Sequence, residues 1–238
     1  MNYLFITGCP RSGTTALTKF LNGDNRILVG IERYIRIQKS ITPEHFLKDR
    51  FLHPVKEETA HFEREDMFDA FRVKWDQNTL RYIGDKVPGY HRQLDYLAKT
   101  FPGCKILFLL RNLIKVASSY NVRAYDGKNW PESKDYRRAT SDWNESLQGL
   151  KQFIDAGFAD QVHVVNYESF FSGSQPHLQA TYGFLGIERT PAVQQAYNRI
   201  TNRWEKFSSK SLNLDDTMKA YIEEHKDKAL EQWVSEIT

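Results

Sequence analysis

The chain has 238 residues and a mass of 27.9 kDa, with 33 Lys plus Arg against 30 Asp plus Glu and a formal net charge of +3. Hydrophobic residues make up 40% and charged residues 26%, which suits a soluble globular chain and excludes a disordered or collagen-like one. The balanced charge argues against a nucleic-acid partner. No apolar run reaches the roughly 18 residues of a transmembrane helix, so no membrane partner is expected. Two cysteines, Cys9 and Cys104, provide neither a disulfide scaffold nor a cysteine zinc site, and no metal is expected. A reducing cytoplasm is the simplest setting.

Tyr3 to Thr7 reads as a buried first strand, not a signal peptide, because it lacks a basic segment and runs directly into a glycine turn. A helix is predicted over Thr14 to Leu21 and a short strand over Arg26 to Gly30. Thr42-Pro43 has the form of a helix start, and the charged, aromatic stretch 44–75 is expected to be mostly helical. Arg81 to Asp85 is a strand candidate. His91 to Thr100 is helical in pattern and stops at Phe101-Pro102-Gly103. Lys105 to Leu110 is apolar on both faces, as a central parallel strand should be, and a helix follows from Leu113 to Arg123. Tyr125 to Tyr136 reads as an exposed loop, 137–156 as a helix, Gln161 to Asn166 as a strand, and the chain from about Gln175 as mostly helical. This alternation implies an α/β three-layer sandwich around a mainly parallel sheet, a single domain over 1–238. Ligands in such folds sit at the carboxyl ends of the strands.

The first motif falls there: Gly8-Cys9-Pro10-Arg11-Ser12-Gly13-Thr14-Thr15, between a strand and a helix. Two glycines permit a tight turn whose N–H groups face an anion, reinforced by the helix N-terminus. Thr14 and Thr15 add hydroxyl donors, and Arg11 a forked cation suited to phosphate or sulfate oxygens. A Walker A loop, GxxxxGK(S/T), would carry lysine where Thr14 stands. The second motif is independent. Arg111 ends the strongest strand, Ser119 lies eight residues later, and Arg123 four after that. Ser119 and Arg123 share one helix face, and two guanidiniums with a hydroxyl form a clamp for a terminal phosphate.

Together these motifs resemble the sulfotransferases that use PAPS (3′-phosphoadenosine-5′-phosphosulfate). That family carries a Lys/Arg-Ser-Gly-Thr-Thr loop after its first strand and a strand–Arg–x7–Ser site for the 3′-phosphate. The arginine form, with proline before it, looks most like the tyrosylprotein and related bacterial enzymes. The cytosolic type has lysine there and a tryptophan after the threonines, where this chain has Ala16. The resemblance implies a P-loop NTPase-like sulfotransferase fold, with Arg11, Ser12, Gly13, Thr14 and Thr15 at the 5′-phosphosulfate and Arg111, Ser119 and Arg123 at the 3′-phosphate. It also implies that Lys86, in Asp85-Lys86-Val87-Pro88, contacts the transferring group together with Arg11. In the tyrosylprotein branch a glutamate 21 residues after the loop arginine is the base, and here that position is Glu32. Its alternatives are a nearby histidine such as His91 as base, and a purely ionic role for Glu32 with Arg33, Arg36 or another cation. Tyr167, and less directly Arg203 and Lys210, match segments that approach or cover the nucleotide.

The expected activity is transfer of a sulfuryl group from PAPS to a hydroxyl or amine of a small molecule, glycan or peptide, releasing adenosine 3′,5′-bisphosphate (PAP). The alternatives are a P-loop nucleotide kinase with a variant loop and a non-catalytic nucleotide-binding module. Acceptor contacts are expected in the 40–75 segment and the 125–136 loop.

Overall fold

In the computed structural model five strands lie parallel in the order β2-β3-β1-β4-β5: β1 (Asn2–Thr7), β2 (Ile27–Ile31), β3 (Tyr82–Lys86), β4 (Lys105–Leu110) and β5 (Val162–Asn166). The structure describes residues 1–126, 130–208 and 212–238, with residue 203 and residues 205–208 described by backbone alone. Successive side chains on a strand point to opposite faces, and both faces are apolar. Leu4, Ile6, Val29, Leu107 and Leu109 face one layer of helices. That layer comprises α1 (Thr14–Leu21) and, later in the chain, the segments Tyr167–Phe171, Gln175–Leu185 and Pro191–Ser208. Phe5, Leu28, Ile83 and Ile106 face the other, joined by Phe108, Leu110 and Val164 farther along the sheet. The result is the three-layer α/β sandwich that the alternation of strands and helices implied.

The opposite layer holds α2 (Lys48–Leu52), α3 (Glu65–Asp76), α4 (Leu94–Thr100), α5 (Leu113–Ala124) and α6 (Tyr136–Phe153). Beyond β5 come α7 (Tyr167–Phe171), α8 (Gln175–Leu185), α9 (Pro191–Ser208), α10 (Asp216–His225) and α11 (Lys228–Glu236). No helix among the described residues is long and apolar enough to cross a membrane.

Three stretches depart from the sequence reading. The 44–75 segment is helical only in part: a helical turn at Pro43–Phe46, then α2 and α3, with 53–64 non-helical between them. Pro54 accounts for the break, since it drives His53 out of the helical region (φ −111°, ψ 86°) and ends α2. The 125–136 stretch is not wholly exposed, because Trp130 packs edge-on against Tyr120 at 5.3 Å. Short α7 also follows β5 directly, capped by Asn166, whose side chain accepts from Ser169 N at 3.0 Å.

The strands nearest the site are held close by glycine. A Cβ on Gly84 would lie 1.6 Å from the carbonyl oxygen of its register partner Leu4. Gly84→Ala is therefore expected to lower unfolding free energy by about 3 kcal/mol through overpacking, read as a reduced urea midpoint at unchanged slope.

Candidate functional site

The strand order places β1 between β3 and β4, so the chain winds first to one side of β1 and then to the other. The crevice at such a switch lies over the carboxyl end of β1. The Gly8–Gly13 loop occupies it. Gly13 is the N-cap of α1 with φ +94°, and no side chain caps that helix, leaving its first N–H groups for an incoming anion. A Cβ on Gly13 would lie 2.3 Å from the Tyr167 ring, so the loop packs directly on α7. Arg11 itself sits in the left-handed region at φ +67°, a cost that a functional loop tolerates when its surroundings fix it.

The two sequence motifs meet here. Arg11 Nε donates to Ser119 Oγ at 3.1 Å, and Arg111 Nη1 donates to the Arg11 carbonyl oxygen at 2.9 Å. The Arg111 guanidinium also lies 4.4 Å from the Tyr167 ring centroid. Arg123 is half-exposed and pairs with Asp126 at 3.5 Å. Burial, then the charges of Arg123 and Arg111, weaken the hold of Arg11 on its proton. Among the described residues no acid lies within ion-pair distance of Arg11 or Arg111, Asp126 acting on Arg11 only from beyond that distance while it pairs with Arg123, and Ser12 Oγ and Arg111 Nε are buried without hydrogen-bond partners. Excess positive charge of this kind is costly unless an anion compensates it.

A cleft of about 630 Å³ opens over the loop, bounded by Arg11, Thr14, Thr15, Glu32, Lys86 and Arg111. Ile35, Gln38, Trp130 and Lys134 also line it. Lys86 ends β3 and is 1% exposed, and its Nζ donates to Glu32 Oε1 at 2.7 Å. Glu32 follows β2 at φ +57°. Its second oxygen, Oε2, lies 3.6 Å from His61 Nε2. Burial pushes the Glu32 carboxyl up, but the neighbouring His61 ring and the charge and hydrogen bond of Lys86 outweigh it and hold the group at about 2.

Glu32 thus pairs with Lys86 and His61. Arg33 turns inward and donates to Glu58 Oε2 at 2.8 Å, while Arg36 Nη1 donates to the Lys56 carbonyl oxygen. His91 is buried away from this cleft. Its Nδ1 lies 2.8 Å from the Pro88 carbonyl oxygen, and it borders a separate hollow beside Glu145 and Gly149.

A second cleft of about 490 Å³ lies on the far side of α1 and shares Ala16 and Lys19 with the first. Its walls include Phe20, Tyr167, Phe171 and Trp204. Trp204 meets Tyr167 edge-on at 5.2 Å and lies nearly parallel to Phe171 at 6.4 Å. The side chain of Arg203 and the whole of Lys210 lie outside the described residues.

Sequence reasoning missed His61 and Asp85. His61 sits in the non-helical 53–64 stretch, where no periodicity marks it. Asp85, next to Lys86, carries no motif of its own, although an acid within a buried strand is itself a signal. It accepts from the N–H groups of Arg33, Tyr34 and Lys86 and from Tyr90 Oη.

A cationic, glycine-built loop between the first strand and first helix of a parallel sheet is the arrangement of the P-loop-like fold. The sulfotransferase family model matches residues 4–191, and the chain belongs to that family. Protein-tyrosine sulfotransferase 1 of Danio rerio is 25% identical over 201 residues, covering 81% of this chain and 55% of that protein, so the chain spans about half the length of this relative. The sulfotransferase domain of the Synechococcus PCC 7002 olefin synthase has a TM-score of 0.59 at 20% identity, covering 94% of this chain and 93% of that one. Mouse sulfotransferase SULT7A1, solved in complex with PAP, has a TM-score of 0.50 at 13% identity, covering 99% and 82%. Both share this chain's fold.

The depressed Glu32 carboxyl contributes stability that is fully present above its ordinary value near 4.5 and is lost as the pH falls through about 2. Glu32→Gln is expected to flatten the fall in urea midpoint between those pH values. An acid limb as steep as that of the wild type would show that the Lys86–Glu32–His61 contacts do not bias this proton.

Proposed function

We propose that the chain transfers a sulfuryl group from PAPS to a hydroxyl or amine and releases PAP. The observation that carries this reading is the joined pair Arg11 and Arg111, without acidic partners, beside a lysine–glutamate pair in the same cleft. The α1 N-terminus with Arg11, Ser12, Gly13, Thr14 and Thr15 suits the 5′-phosphosulfate. Arg111, Ser119 and Arg123 suit the 3′-phosphate, and the aromatic cleft with Tyr167 suits the base. The PAP complex of the mouse enzyme with the same fold supports that choice of nucleotide.

When bound, PAPS supplies the sulfuryl group and a phosphate leaving group. Lys86 and Arg11 then offset negative charge on the transferring group and the leaving oxygen, and Glu32 takes the acceptor's proton. The acceptor oxygen or nitrogen bonds to sulfur as the sulfur–oxygen bond to phosphate breaks, with attack in line. The other lining residues, Ile35, Gln38, Trp130 and Lys134, suit contacts with a small-molecule, glycan or peptide acceptor.

Calorimetry with PAP and with ATP, each with and without magnesium, tests the donor. PAP is expected to bind without magnesium and more tightly than ATP. Arg111→Ala is expected to weaken PAP at least about tenfold, as loss of a charge-assisted contact implies, while Glu32→Gln leaves PAP affinity within about twofold. Preference for ATP with magnesium would replace this reading with a variant P-loop kinase.

A further inference from the structure

We infer that Tyr120 and Trp143 are positioning residues for the donor: linked through Asp142, they fix Ser119 and Arg111 against Arg11 and so give the site its selectivity for a nucleotide phosphorylated at the 3′-position. The inference deepens the donor reading proposed above and rests on it. Six residues form one closed circuit. Arg11 Nε donates to Ser119 Oγ at 3.1 Å. The next residue on α5, Tyr120, donates through Oη to Asp142 Oδ2 at 2.9 Å. The residue after Asp142 on α6, Trp143, donates through Nε1 to the Arg111 carbonyl oxygen at 3.0 Å. Arg111 Nη1 donates to the Arg11 carbonyl oxygen at 2.9 Å, which closes the circuit.

One half of the circuit faces the cleft and the other lies in the core. Arg11 and Arg111 line the cleft, whereas Tyr120, Asp142 and Trp143 are buried. Adjacent residues of an α-helix point about 100° apart, so Ser119 lies beside Arg11 while Tyr120 turns inward. Burial foremost, with Cys9 and Asp142 beside it, pushes the Tyr120 phenol above its ordinary value of 10.0, so the hydroxyl keeps its proton and donates. Asp142 Oδ1 is taken up by Arg138 at 2.8 Å and Arg92 at 3.3 Å, which leaves Oδ2 to Tyr120. A buried carboxylate held on both oxygens is a rigid anchor, and Trp143 is bonded directly to it along the chain.

The two arms act on the residues assigned to the 3′-phosphate. Tyr120 sets the rotation of α5 that presents Ser119, and Trp143 sets the strand exit that carries Arg111. The turn assigned to the 5′-phosphosulfate is held by its own backbone. Ser12 N donates to the Cys9 carbonyl oxygen at 3.1 Å, and Ala16 N and Leu17 N donate to the Gly13 carbonyl oxygen at 2.9 and 3.1 Å. Tyr120 meets that turn at the Cys9 side chain, whereas the single N–H donor of the Trp143 ring is spent on Arg111. Opening the circuit therefore costs the 3′-phosphate more than the 5′-phosphate. Tyr120→Phe and Trp143→Phe each keep an aromatic ring in the core and remove the donor.

The test is calorimetry on the full chain with PAP and with adenosine 5′-phosphate, which lacks the 3′-phosphate, for wild type and both Phe variants, with urea midpoints taken alongside. Leu147→Val, on α6 in the same core cluster but outside the circuit, is the packing control. Wild type is expected to bind PAP at least about tenfold more tightly than the monophosphate, as charge-assisted contacts to a second phosphate imply. Each Phe variant is expected to weaken PAP at least about fivefold and the monophosphate by no more than about twofold. Leu147→Val is expected to lower the urea midpoint and keep the wild-type ratio of the two affinities. A wild-type ratio in either folded Phe variant, whether both ligands hold or both weaken together, overturns the inference while the donor reading stands. So does a Leu147→Val ratio that falls as far as theirs, which marks general loosening of the core. A wild type with no preference for PAP over the monophosphate overturns the donor reading and this one together.

Discussion

Asp85 ties the sheet to the chemistry. It is fully buried at the end of β3, where burial pushes its carboxyl up, against the hydrogen bonds it accepts from the backbone of Tyr34 and Arg33. Oδ1 accepts from Arg33 N at 3.0 Å and Lys86 N at 2.9 Å, and Oδ2 from Tyr34 N at 2.9 Å and Tyr90 Oη at 3.3 Å. One side chain therefore holds the turn after β2 and the exit of β3 in a fixed relation. Glu32 comes before the clamped Arg33, and Lys86 is itself clamped. The positive φ of Glu32 persists because this clamp over-determines the turn. Gly30 is part of the same device, because a Cβ there would lie 2.8 Å from Asp85 Oδ1.

The site carries two kinds of charge and keeps them apart. Around the glycine loop, Arg11 and Arg111 lie close enough that the second weakens the protonation of the first. Folding alone gains nothing from that proximity, and a bound anion is what would repay it. Around Glu32 the balance is already struck, since Lys86 and His61 share its two oxygens. Lys86 belongs to both halves: it is buried, it faces the cleft, and its described ion-pair partner is Glu32. An anion drawn to Lys86 would loosen its hold on Glu32 and make the carboxylate a stronger base. On the proposed reading, donor binding and the basicity of Glu32 would be coupled through one ammonium group.

What the sequence made legible follows from how local each feature is. The strand–loop–helix unit around Gly13 is contiguous, and its glycines, cation and threonines stand together in the sequence as they do in the structure. Arg111 and Ser119 were legible because a strand end and a helix period fix where they point, and the structure joins both to Arg11. The parallel sheet was legible from apolar runs of strand length. The dependence of Glu32 on His61 was not, because it arises from a stretch that Pro54 makes irregular and that Thr59 and Glu58 stitch down. A hydrogen-bonded loop leaves no period behind it. Asp85 stood between these cases, visible as an acid in a buried strand but uninformative without the donors that surround it.

The cleft beside α1 draws its aromatic walls from far along the chain. Ala16 leaves the loop side of that cleft open. Aromatic surface comes instead from Tyr167 and Phe171 on α7 and Trp204 on α9. If the base of the donor lies there, its wall is built by helices far along the chain rather than by the loop proposed to hold the phosphates. Tyr167 links the two regions, packing on Gly13 with one part of its ring and lying under the Arg111 guanidinium. Seating of α9 against α7 then becomes part of nucleotide affinity, and by linkage a bound nucleotide stabilises that packing in return. A loop that carries its own tryptophan would have no such dependence.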